Sequence, residues 1–226
     1  MTSAIAGQAT QPLVTATALS IRFGNRRVLT DVSLQVDPSA ELVVMGRSGS
    51  GKTTLLLALA GLLEPDAGTA RWPGLPSDLA GRRAAIGMVF QSPSLLPELT
   101  AAENVSLPLR LRGWTVADAG NATGEALRLV GIPDAAQALP AQLSGGMQQR
   151  VAVARVLAGR PRLVLADEPT GSLDRKNAFT VLETLRDAVR RSGGALVIAT
   201  HDPELAALLR HAAVLEEGRL RPALQA

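Results

Sequence analysis

The chain has 226 residues, 46% of them hydrophobic, with a formal net charge of +3, which fits one domain, or one domain carrying a subdomain. It has no cysteine, which excludes disulfides, thiolate metal sites and cysteine nucleophiles, and its two histidines, His201 and His211, exclude a metal site built on several imidazoles. Of its 23 basic residues 21 are arginine, which accounts for an isoelectric point near 10.4, but they are scattered and only five aromatics are present, so no stacking platform for bases is visible and direct nucleic-acid binding is not expected.

Residues 1–11 are small and polar, without the basic start and apolar run of a secretory signal, and are expected to form a flexible tail ahead of a single domain over 12–226. Over 13–36 apolar residues recur at every second position (Leu19, Ile21 and Phe23, then Val32, Leu34 and Val36), predicting an antiparallel strand pair. Glu41–Met45 is the first of four short, β-branched-rich runs that stop abruptly in polar residues; it leads into Gly46-Arg47-Ser48-Gly49-Ser50-Gly51-Lys52-Thr53 and a predicted helix over 53–62. The apolar stretch 55–63 is about half as long as a membrane span requires and reads as a buried helix. The second run, 86–90, ends in Gln91. From 92 to 150 no strand pattern occurs, and Pro97, Pro108 and Pro133 punctuate what is predicted to be a helical insertion. A helix over 146–157 follows, then the third run, 163–166, ending in Asp167-Glu168; a helix over 178–192; and the fourth run, 195–199, ending in Thr200-His201-Asp202. Continuous apolar runs alternating with helices indicate an α/β fold whose parallel strands are buried on both faces. Ligands of such sheets gather beyond the carboxyl ends of the strands, so all four polar clusters are expected on one edge.

The segment 46–53 fits G-x-x-x-x-G-K-[ST] in full, with a strand before it and a helix after it, the context that separates a phosphate loop from a glycine-rich turn. Its small residues let the backbone aim N–H groups at phosphate oxygens, and the following helix adds the positive end of its dipole. Lys52 is one of only two lysines, with Lys176, and is placed to reach the β- and γ-phosphates; the Thr53 hydroxyl is a ligand for Mg²⁺. Asp167 and Glu168, side by side at the end of an apolar strand, suit a metal-holding carboxylate followed by a base for the attacking water, against the alternative of an acidic loop. Leu143-Ser144-Gly145-Gly146-Met147-Gln148-Gln149-Arg150 offers a serine N-cap and an open backbone ahead of a helix: either a second anion-binding element or an ordinary capped helix.

In their order along the chain these elements resemble the motifs of ABC-type ATPases, over about residues 13–220. Ser144, Gly145 and Gly146 resemble part of the family's signature, Gln91 its Q-loop, Ser172-Leu173-Asp174 its D-loop, His201 its switch histidine, and Phe23 the aromatic that stacks on adenine. The resemblance implies a P-loop NTPase with a RecA-like core, an antiparallel β flank and a helical subdomain inserted over about 92–152. It implies ATP and Mg²⁺, with nucleotide contacts from Phe23 and from Gly46, Arg47, Ser48, Gly49, Ser50, Gly51, Lys52, Thr53 and Thr54, metal contacts from Thr53, Gln91 and Asp167, and catalysis by Glu168, His201, Gln91 and Lys52. It further implies a head-to-tail dimer, in which Ser144, Gly145, Gly146 and Asp174 of one copy face the nucleotide of the other, and a membrane permease that holds the chain on the cytoplasmic face. The stretch 167–174, with Val89-Phe90-Gln91-Ser92, Leu95-Leu96-Pro97 and Glu103-Asn104-Val105, is similar to the subgroup that drives lipoprotein release and macrolide efflux. An importer ATPase is the alternative; a third, an ABC ATPase acting on nucleic acid, lacks room here for a long coiled coil or a second cassette. Met147 departs from the Gln or Glu usual in the signature, and the loss of a polar contact rather than of activity is expected there.

Overall fold

The computed structural model describes residues 11–222, Ser172 and the side chain of Lys176 excepted, so the expected tail over 1–11 lies outside it but for Gln11. In chain order the elements begin with β1 (Val14–Phe23), β2 (Arg26–Val36), β3 (Glu41–Met45), α1 (Lys52–Leu59), β4 (Ala67–Arg71), α2 (Leu79–Ala85) and β5 (Ile86–Val89). Then come α3 (Ala101–Leu111), α4 (Val116–Leu129), two single turns of 3-10 helix, α5 (Gly145–Leu157), β6 (Leu163–Asp167), α6 (Arg175–Ser192), β7 (Ala195–Thr200), α7 (Pro203–Ala206), β8 (His211–Glu216) and β9 (Arg219–Pro222).

A six-stranded sheet in the order β5-β6-β7-β3-β8-β9 forms the centre. Its strands are parallel from β5 to β8, and β9 returns antiparallel to β8. Because side chains alternate across a strand, each apolar run serves two cores at once. Val43, Val164, Ala166, Leu196 and Ile198 point to one face, where α5 and α6 cover them with Val151, Ala154, Val181, Leu182 and Leu185. Leu42, Val44, Leu163, Leu165, Val197 and Ala199 point to the other, against Leu55, Leu56 and Leu59 of α1 and Leu19, Ile21 and Leu29 of the first two strands. Each such leucine or valine removed from water stabilises the fold by about 1.5–3 kcal/mol.

A second, antiparallel sheet in the order β2-β1-β4 flanks the first. Its hairpin turns in two residues, Gly24 and Asn25, with Gly24 at a φ of 58°, and sets Phe23 opposite Arg26. The helix predicted over 53–62 stops sooner, at Leu59. Gly61 there takes a φ of 68° beneath the Trp72 ring, where a Cβ would stand 3.1 Å from the ring edge, and a left-handed residue ends a helix. Far from the phosphate loop, at the start of β3, the buried Glu41 binds Arg186 and Arg190 of α6 at 3.0 and 2.8 Å, locking that helix to the sheet. Among the described residues no helix is long and apolar enough to cross a membrane.

Candidate functional site

The four polar clusters meet along the carboxyl edge of the large sheet. Parallel register sets Met45 beside Thr200 and Asp167 beside Ala199, while Val89, the last residue of β5, lies beside Ala166. These ends open into a cleft of about 700 Å³ lined by Phe23, Arg26 and Val28, by Arg47, Ser48, Gly49, Gly51, Lys52, Thr53 and Thr54, and by Gln91, Asp167, Glu168 and His201.

The loop over 46–51 turns through Gly49 and Gly51, with φ of 79° and 104°, conformations that strain any residue with a Cβ. At Gly51 a Cβ would also press on Leu29 and on the Val28 carbonyl at 3.0–3.1 Å. Gly51 therefore delivers the chain into α1, whose free first-turn N–H groups face the loop. Gly46 and Ser50 stand behind it: a Cβ at Gly46 would meet the Ser50 Oγ at 2.6 Å. The Lys52 ammonium is buried; it donates to the carbonyls of Gly46 (2.8 Å) and Arg47 (3.3 Å) and pairs with Glu168 Oε1 at 3.5 Å.

Opposite it, β6 carries the two carboxylates. Thr53 Oγ1 donates to Asp167 Oδ2 at 2.5 Å. Burial holds the Asp167 carboxyl above the usual carboxylate range; the neighbouring Glu168 charge adds to this, while the Thr53 hydrogen bond and Lys52 oppose it. Glu168 takes a left-handed φ of 44°, its amide donating to the Ala199 carbonyl at 2.9 Å. Its carboxylate, almost fully buried, accepts from Thr200 Oγ1 at 3.1 Å and lies 2.8 Å from His201 Nδ1. The His201 ring is 68% exposed, so Glu168 is gripped from the protein side and reaches solvent through the histidine. The Thr53 hydroxyl and the Asp167 carboxylate are oxygen donors, and the Gln91 amide lines the same cleft, a set that fits a hard divalent cation such as Mg²⁺. Among the described residues no group of three or more His, Cys, Asp and Glu converges to hold a metal. Phosphate oxygens would therefore have to complete the coordination, as is usual for this ion.

Phe23 is 54% exposed at the cleft mouth, unlike its apolar neighbours on β1, and offers a face for stacking. Ser144, Gly145, Gly146 and Asp174 do not line the cleft. Ser144 caps α5 by accepting from the Met147 amide at 3.3 Å, and its hydroxyl and Gly145 are exposed. Open space surrounds Gly145, whereas Gly146 faces Leu173. Asp174 caps α6, accepting from the Asn177 amide at 2.9 Å, and Ser172 beside it lies outside the described residues. Met147 packs against the apolar cluster beneath α5. Arg26 and Val28 belong to the site without any motif, and Thr200, expected at this edge with its cluster, was given no role in advance. Only the Gly24-Asn25 turn, which places Arg26 across from Phe23, hinted at one of them; the Arg26 guanidinium lies 3.4 Å from the Gly49 carbonyl.

The family model described as ABC transporter matches residues 29–171. The lipoprotein-releasing system ATP-binding protein LolD of Bordetella pertussis is 46% identical over 202 residues, covering 86% of this chain and 87% of that one. An uncharacterised ABC transporter ATP-binding protein of Mycobacterium tuberculosis is 39% identical over 225 residues, covering 95% and 91%. The dimeric post-hydrolysis structure of the ATP-binding cassette MJ0796, bound to ADP and Pi, aligns with a TM-score of 0.84 at 31% identity, covering 94% of this chain and 100% of that one. The cleft that joins a phosphate loop to an acidic strand end thus lies in a chain whose likeness to ATP-binding cassettes runs along nearly its whole length, and the chain belongs to the ABC transporter family as an ATP-binding, ATP-hydrolysing subunit.

Proposed function

We propose that this chain drives a transport system of the lipoprotein-releasing or efflux type, working as a head-to-tail pair beneath a membrane permease on its cytoplasmic face. The likeness to LolD supports the type of system, and the single observation that carries the chemistry is the convergence of Lys52, Thr53, Gln91, Asp167, Glu168 and His201 on one cleft. The domain over 12–226 divides into a core and a helical insertion over about 92–152, the insertion being the part that meets the permease.

Loop amides over 46–51 and the first turn of α1 hold the phosphates, Lys52 neutralises the β- and γ-oxygens, and Arg47 and Thr54 flank them. Phe23 stacks on adenine. Thr53, Asp167 and Gln91 hold Mg²⁺, which when bound neutralises charge on the phosphate oxygens. Glu168, with one carboxylate oxygen fixed by Thr200, orients the attacking water and takes its proton; His201 keeps the other oxygen aimed and contacts the γ-phosphate. Preorganised donors of this kind supply most of the rate in phosphoryl transfer. Ser144, Gly145 and Asp174, which are exposed, and the half-buried Gly146 complete the site of a second copy, so the pair closes on two nucleotides and opens after hydrolysis.

Glu168→Gln is the test. It should bind ATP, hydrolyse it about a hundred- to ten-thousandfold more slowly, and accumulate as an ATP-bound dimer by light scattering. Near-normal turnover would remove Glu168 as the base, and a monomer with ATP bound would remove the paired site. Lys52→Ala should lose nucleotide affinity by titration.

A further inference from the structure

The stretch between Gln91 and α3 has no regular structure, yet the half-buried Arg155 and the buried Gln149 and Asn104 hold it throughout. The Arg155 fork, on α5, donates to the carbonyls of Pro93 at 2.8 Å and Ser94 at 2.9 Å. Ser94 sits at a φ of 47°, a conformation that costs a residue with a Cβ about 1 kcal/mol and persists only where the surroundings fix it. Six residues earlier on the same helix, Gln149 is 1% exposed and donates to the carbonyl of Phe90 at 3.2 Å. Further along, the buried Asn104 donates to the carbonyls of Leu96, Leu99 and Thr100 and accepts from the Leu96 amide. The chain around Gln91 is thus clamped to α5 just before it, by Gln149, and just after it, by Arg155. Gln91 itself is exposed between the two clamps and reaches the cleft.

The same helix begins at Ser144. Arg155 is eleven residues on, about 16 Å along a rigid rod, and Gln148 fixes the turn before the cap by donating to the carbonyls of Pro140 and Leu143 at 2.9 and 3.3 Å. With Gln91 assigned to the Mg²⁺ that accompanies the nucleotide and Ser144 to a second copy's nucleotide, as in the proposed function on which this inference rests, one rod joins two sites. We propose that Arg155 and Gln149 are positioning residues that make the Gln91 segment and helix α5 a single moving part, so that occupancy of the cleft by ATP sets the orientation of Ser144–Gly146 toward the partner. Neither side chain touches the nucleotide. The bonds are geometrically demanding: the planar guanidinium serves two carbonyls through two separate nitrogens, a fork that the single nitrogen of a lysine does not reproduce.

The experiment uses the full chain carrying Arg155→Met, Arg155→Lys or Gln149→Leu, each alone and with Glu168→Gln. Wild type must first turn over ATP, and Glu168→Gln must dimerise with ATP; if they do not, the proposed function fails and not the clamp. Given those controls, Arg155→Met and Gln149→Leu should keep the KM for ATP within about threefold while kcat falls about ten- to a hundredfold, the scale of an ångström-level misplacement. In the Glu168→Gln background their ATP-driven dimerisation should weaken by a comparable factor. Arg155→Lys should recover part of kcat, not all. Hydrogen exchange at the amides of 145–148 should respond to Mg-ATP in the Glu168→Gln protein and lose that response when Arg155→Met is added. A general packing defect would instead lower the melting temperature and leave kcat per folded molecule and the exchange response intact. That outcome, or unchanged kcat and dimerisation in both variants, overturns the proposal. If Arg155→Met does not fold, Gln149→Leu decides it alone by the same readings.

Discussion

The ion pair between Lys52 and Glu168 makes the two sides of the cleft competitors for one ammonium. Both side chains are at most 10% exposed and 3.5 Å apart, so at an effective dielectric of about 20 their gross attraction is about 5 kcal/mol. Desolvation consumes much of this, but Glu168 also has Thr200 and His201 to lean on, so it stays in place whether or not Lys52 turns to a phosphate. A nucleotide that recruits Lys52 must draw it away from Glu168, and even a quarter of the gross value, about 1.2 kcal/mol, is close to tenfold in a dissociation constant. Glu168→Gln leaves a neutral amide that still accepts from Thr200 and no longer holds the ammonium. It should therefore bind ADP about three- to tenfold more tightly than wild type, in calorimetric titrations at equal ionic strength. ADP is chosen because it is not hydrolysed, so slower turnover cannot imitate tighter binding. The gain should shrink in Lys52→Ala/Glu168→Gln compared with Lys52→Ala, as a double-mutant cycle requires. An ADP affinity unchanged by Glu168→Gln would show that the pair does not oppose the nucleotide and would refute this competition.

Asp167→Asn should divide stability from activity. Burial keeps the native carboxyl above its unfolded range, so this group stabilises the fold at low pH and loses that contribution as pH rises through its native value; near neutrality the full penalty is in place. Asparagine can still accept from Thr53, so the variant should melt about 2–4 °C higher at neutral pH, on the scale of 1 kcal/mol for a chain this long, lack that acid-side segment of the stability curve, and lose more than a hundredfold in ATPase activity. A lower melting temperature at neutral pH would contradict the burial argument. Phe23→Ala should weaken ATP by about 1–3 kcal/mol of stacking while leaving the melting temperature nearly unchanged, because the ring is half exposed and outside both apolar clusters; a large drop in stability with intact affinity would make it a packing residue.

The strands that carry the site were readable because each is buried on both faces, which writes a continuous apolar run into the sequence: 163–166 and 195–199 differ from β6 and β7 by one residue at the end. Three strands went unread: β8, a short run buried only at alternate positions, and two that left no such trace. In β4, Ala67-Gly68-Thr69-Ala70-Arg71 is a largely exposed edge that pairs only with β1. In β9, Arg219-Leu220-Arg221-Pro222 is polar and depends on its turn, where Glu217 and Gly218 both take positive φ, the geometry of a tight hairpin; the glycine was the only signal. Within the site, Gln91 and His201 were visible because each interrupts an apolar run. Thr200 was visible as part of the same strand-end cluster, but its partnership with Glu168 was not, since that arises from register between β6 and β7, two strands separated by the whole of α6. Gln149 and Arg155 look like ordinary helix residues, and only the path of a loop sixty residues away gives them partners.

The large sheet also works as a partition. Helix α1, which begins at the phosphate loop, packs on one face, and α5, which begins at Ser144, packs on the other, so under the proposed head-to-tail pairing the two halves of a finished site would start from opposite sides of a wall that no single molecule can fold around. Damage is then counted by couples and not by molecules. Where sound and Lys52-defective copies mix freely, wholly sound couples decline as the square of the sound fraction, and a defective allele suppresses transport well beyond its own share of the protein.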